Sequence, residues 1–216
     1  MKSILIMILA LAVCVGAEEF NLPKGYEADP KRPDVDLSFS ATRNYYKELS
    51  VIQTKYRSRL ADALKHADGA EIFLLSFTMD QEAPDGKEDQ YFSIKPYKSF
   101  SKILARKRLK ASDVIACRTA TVALLKESDD LDGGAMCHFP IHAIRLFKGE
   151  DLIFETSICW KCSNYYLEYP DDFETATWVG FIGKPIQSYL HKAMPIPQSE
   201  IDRFDAKYGA KKKKKK

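Results

Sequence analysis

The stretch Met136–Cys162, MCHFPIHAIRLFKGEDLIFETSICWKC, decides how this chain folds, because it is two runs of β-formers around one tight turn. Gly149 and Glu150 make the turn. Glycine in the first position of a two-residue loop suits a type II′ hairpin, which sets Lys148 opposite Asp151. In that register every cross-strand pair sums to 299: Cys137 faces Cys162, Phe139 faces Trp160, Ile141 faces Ile158 and Phe147 faces Leu152. Alternation assigns this apolar set to the core. Arg145 is its odd member, opposite Phe154, and reads either as an arginine with a wet tip or as a clamp for an acidic partner. The other side carries His138, Pro140, His142, Glu155, Ser157, Cys159 and Lys161, with His142 diagonal to both Glu155 and Cys159. Arg145 and Glu155 are the candidate partner-binding residues.

Working outward, Asn164–Tyr169 and Trp178–Phe181 are further β-rich runs separated by short breaks, so the hairpin extends into an antiparallel meander. Upstream, Ala70–Met79 reads as a strand, with weaker strands at Tyr91–Ile94 and Ile103–Leu109. Ser112 and Asp113 are positioned to cap a helix carrying Val114 to Leu125, and Ser128–Gly134 reads as an acidic turn. Tyr45, Leu49, Ile52, Tyr56, Leu60 and Leu64 recur at helical spacing and predict a long amphipathic helix before the sheet. Its aromatic stripe reads as core packing. Short helices follow from Lys184 and from Ser199. Strands bunched between helices, rather than alternating with them, predict an α+β fold. The expected organisation is a leader over 1–17, an extended arm over 18–37, one domain over 38–194, a helical extension over 195–210 and a lysine tail over 211–216.

Three readings compete for the hairpin cysteines. Directly opposed Cys137 and Cys162 can form a disulfide that staples the sheet. Alternatively, Cys137, His142, Cys159 and Cys162 offer three sulfurs and an imidazole to zinc, with Cys159-x-x-Cys162 at knuckle spacing. Regular pairing divides these ligands between two faces, so a metal site requires a bulge at Pro140 or a knuckle at Trp160 and Lys161. The third reading is an extracytoplasmic thiol-disulfide oxidoreductase using Cys159 and Cys162. A thioredoxin-like pair opens a helix, whereas Ser163–Tyr169 reads as strand. Cys117, on a helix among apolar neighbours, reads as a buried structural thiol.

The Cys-x4-His-Ala-Ile-Arg and Ile-Cys-Trp-Lys-Cys elements between Cys137 and Cys162 resemble a group of uncharacterised bacterial secreted or envelope proteins. The likeness covers roughly an eighth of the chain. It implies an extracytoplasmic bacterial protein and carries no activity with it.

The ends and the composition agree with that setting. MKSILIMILALAVCVGA has the order of a secretory signal peptide, with Val15 and Ala17 before the expected cleavage, against a retained anchor or a lipid on Cys14 as alternatives. Four cysteines then enter an oxidising compartment, periplasmic or external. Of 216 residues, 45% are hydrophobic and 29% charged, an ordinary globular balance. Setting aside Lys2 and the six terminal lysines takes the formal charge from +3 to −4, so the body is no general nucleic-acid binder. The apolar leader is too short to span a bilayer comfortably. Lys211–Lys216 reads as a solvated end or as an adhesive for an anionic surface. Without a Gly-rich phosphate loop, serine nucleophile motif or paired-carboxylate motif, the expectation is a binding or structural module rather than an enzyme.

Overall fold

The computed structural model describes residues 20–28, 39–80, 82–83, 85–97, 99–129, 138–170, 178–181 and 184–208. Its elements in chain order are α1 (Phe39–Leu64), β1 (Gly69–Leu75), β2 (Tyr91–Ile94), β3 (Ser99–Arg108), α2 (Ala111–Lys126), β4 (Ser128–Asp129), β5 (His142–Lys148), β6 (Asp151–Cys159), β7 (Asn164–Tyr166), β8 (Trp178–Phe181), α3 (Lys184–Ala193) and α4 (Gln198–Tyr208). The strands join into one antiparallel sheet in the order β2-β3-β1-β5-β6-β7-β8-β4. The α+β class is therefore borne out, and β5 to β8 form a meander. Among the described residues no helix is long and apolar enough to cross a membrane. The leader, Cys137 and the lysine tail lie outside the described residues.

Central β1 is buried along its whole length, because both sides of the sheet are covered. On one side Ala70, Ile72 and Leu74 of β1, with Ile144 and Leu146 of β5 and Phe154 and Ile158 of β6, meet Leu60 and Leu64 of α1, Leu124 of α2 and Ile186 and Leu190 of α3. On the other side β2 brings Phe92 and Ile94 onto Phe73, Leu75 and Ala143, closing a second, smaller core. Part of the expected extended arm is seated: Phe20 meets His66 edge-on at 6.3 Å, and Tyr26 meets Tyr56 at 5.7 Å. Arg59 anchors it by donating to the Gly25 carbonyl at 2.5 Å.

Three local expectations change. Ser112 and Asp113 lie inside the first turn of α2 rather than capping it; the helix starts from Lys110 without a side-chain cap. There Asp113 still complements the positive end of the helix. Ser128 and Asp129 pair with Phe181 and Gly180 as a short strand, where an acidic turn was expected.

The third correction is the hairpin register. The turn is as expected: Gly149 has φ +60° while Glu150 stays out of the positive-φ region, the signature of type II′. Lys148 faces Asp151 and Phe147 faces Leu152, but the next pair is Leu146 with Phe154. Ile153 is an extra residue, a β-bulge, and from there to His142–Ile158 each pair sums to 300. Because side chains alternate, this one-residue offset changes which residues share a face. Arg145 moves opposite Glu155 and away from Phe154, and His142 joins the Ile158 face, turned from Cys159.

Candidate functional site

His142 is fully buried where β5 meets α3. The Met194 carbonyl can only accept, so imidazole Nε2–H donates to it at 2.8 Å; the Trp160 indole can only donate, so Nδ1 accepts from it at 2.7 Å. Both nitrogens are thus engaged in one neutral tautomer. Burial pushes the His142 pKa down to about 4, and neighbouring His191 adds to the lowering. The rings of Trp160 and His191 stand edge-on at 5.3 Å beside it.

The cysteines have separate states. Cys162 is disulfide-bonded, and its partner lies outside the described residues. Cys159, three positions earlier, is a free and fully buried thiol. The two are therefore not bonded to each other. Burial raises the Cys159 thiol pKa, opposed by the backbone N–H groups of Cys162, Phe139 and Lys161 directed at its sulfur and by the Lys161 charge. The turn that brings two of those amides round ends at Ser163, whose φ of 49° is left-handed. Cys117 is free and buried, its pKa pushed up to about 12 by burial. Among the described residues no group of three or more His, Cys, Asp or Glu side chains could hold a metal ion.

Arg145 and Glu155 do come together. Arg145 Nε donates to Glu155 Oε2 at 2.6 Å, and the guanidinium lies 5.1 Å from the centroids of both Phe73 and Phe92. Each side chain is mostly buried, so the acidic partner of Arg145 is internal. Next to them Arg106 Nη2 bridges both oxygens of Glu71 at 2.9 and 3.0 Å, with Arg108 at 3.5 Å.

A further constellation escaped the sequence reading. His138 Nδ1–H donates to Asn164 Oδ1 at 2.8 Å, and its Nε2 lies 2.8 Å from Ser157 Oγ, which donates to it. This is the connectivity of a nucleophile, a base and an orienting group. Its setting is wrong for turnover. All three residues are buried, Trp178 stacks on the imidazole at 5.9 Å, and burial lowers the His138 pKa to about 4. A general base for neutral pH needs a pKa near 7 and reach to a substrate. What the arrangement does is satisfy three buried polar side chains at the junction of β6 and β7. The sequence signal was half present, since His138 and Ser157 were already assigned to one face; Asn164 lay beyond the turn.

The chain matches no family model, no curated protein and no solved structure.

Proposed function

We propose that this chain is an exported protein that acts by binding rather than turnover, and that its hairpin is braced by a Cys137–Cys162 disulfide. The observation that carries the reading is the bonded state of Cys162 beside a free Cys159. With Cys117 also free, Cys137 and Cys14 are the remaining candidates for its partner, and Cys14 belongs to the expected leader. A disulfide fits the oxidising compartment that the leader implies. An oxidoreductase of the Cys-x-x-Cys kind needs its two sulfurs to exchange with each other at an accessible site, and Cys159 offers neither bond nor access. The test is mass and metal content of the mature protein under non-reducing conditions. One disulfide, no stoichiometric metal and a mature chain beginning at Glu18 are expected; a reduced chain retaining Met1 would refute the reading.

A second reading has its own support. Backbone amides directed at the Cys159 sulfur, with a left-handed residue closing the turn, form a nest suited to a thiolate held on a soft metal. In that reading Cys137, Cys159 and Cys162 of the reduced chain supply the sulfurs for zinc, and His142 supplies none because its nitrogens are spent on Met194 and Trp160. Zinc titration of the reduced protein and of Cys159→Ser separates the two. Stoichiometric binding lost on substitution favours the metal; absence of binding leaves the disulfide.

A further inference from the structure

β3 is longer than its outer neighbour. β2 pairs only with Ser99 to Lys102, so among the described residues no strand covers the outer side of Leu104 to Arg108. The phase of the inner ladder tells which backbone groups point outward. Leu109 N–H donates to the Ala70 carbonyl, and Ala70 faces Leu109 when the β1–β3 register is continued from Glu71–Arg108. Hydrogen-bonded pairs alternate with non-bonded ones in an antiparallel ladder. Lys107 and Ala105 therefore bond inward to β1, while Arg106 and Arg108 turn N–H and C=O to the open edge.

That edge is also where positive charge gathers. Within KILARKRLK, residues 102–110, Lys102, Arg106, Lys107, Arg108 and Lys110 are exposed cations on a body of mildly acidic composition. Glu71 takes up Arg106 and Arg108, but Lys102, Lys107 and Lys110 have no ion-pair partner among the described residues. A second copy of the chain is a poor occupant, because pairing two such edges sets cation against cation. Edge cations alone deter self-association. An acidic strand turns the same charges into attraction.

We propose that the open edge of β3 is a docking site for an extended acidic peptide segment of a partner protein. The segment adds as a further strand, bonding to the outward groups of Arg106 and Arg108, while its carboxylates meet Lys107 and Lys110. The inference is independent of how the hairpin cysteines are used, since none of them lies on β1, β2 or β3.

The test is an amide-resolved NMR titration of the whole mature chain with a peptide of about ten residues alternating Glu and Thr. Binding should protect the Arg106 and Arg108 amides from solvent exchange, weaken with salt, and fall roughly tenfold in Lys107→Glu/Lys110→Glu. A peptide with Lys in place of Glu should not bind. The proposal is overturned if the acidic peptide does not bind, or binds without protecting those two amides. It is likewise overturned if oligothymidine binds as tightly and with the same salt dependence, which would make the edge a polyanion surface. Should the double variant not fold, amide protection in the unaltered chain decides alone.

Discussion

Arg145 and Glu155 stand directly opposite each other on β5 and β6, joined at 2.6 Å, with the guanidinium 5.1 Å from each ring of the Phe73–Phe92 pair. They meet because Ile153 is an unpaired extra residue between them and the turn. Removing one partner leaves the other partly buried without its counter-charge. Arg145→Ala should therefore cost about 2 kcal/mol in urea unfolding, and the double replacement with Glu155→Gln should cost clearly less than the sum of the singles. Additive costs would mean that the pair does not act as a unit.

Acid should weaken the fold through two histidines. His138 and His142 have folded pKa values of about 4, below the ordinary 6.5, so the unfolded chain binds protons that the folded chain refuses. Their contribution is whole above pH 6.5 and is lost progressively down to pH 4. At pH 5 each should have withdrawn about 2 kcal/mol relative to pH 7.5. Urea unfolding at the two pH values measures this, and His142→Gln should reduce the difference by about half. An unchanged pH dependence would place the proton load elsewhere.

The relay of Ser157, His138 and Asn164 should behave as a structural lock. Ser157→Ala leaves His138 Nε2 buried without a donor and should cost about 1 to 3 kcal/mol, as should Asn164→Leu at the other nitrogen. The native protein should not hydrolyse activated esters, and a fluorophosphonate should not label Ser157. Labelling of that hydroxyl would make the trio a catalytic one.

How much of this the residues disclosed beforehand depends on range. The hairpin turn was legible because one glycine in one position fixes it, and the meander was legible because β-branched and aromatic runs were punctuated by breaks. The bulge was not. Ile153 is a good strand residue in either register; in the fold it and Phe154 are both buried in the core that holds Tyr56 and Leu60 of α1 while Leu152 is exposed, a tertiary arrangement that no local pattern contains. That single offset is why His142 was placed among the cysteines and Arg145 among the apolar residues. Five cations in the nine residues from Lys102 were visible in the text, but that they lie along an open edge depends on where β2 stops.

Gly149 gives the plainest conformational test. A side chain there would meet nothing within 4 Å, so space is not what requires glycine; the φ of +60° is. Gly149→Ala should cost about 1 kcal/mol and Gly149→Asn less, read from thermal or urea unfolding. Equal stability of Gly149→Val would show that the turn has another conformation open to it.

The position of β1 has a consequence for synthesis. Its two partners are β3 and β5, and β5 ends only at Lys148. Until the chain beyond that lysine exists, Ala70–Leu75 offers a newly made polypeptide one unpaired side of an apolar strand, the kind of segment that seeds aggregation. A ribosome-tethered fragment halted before His142 should therefore depend on a holding chaperone, and one extended past Lys148 should lose that dependence.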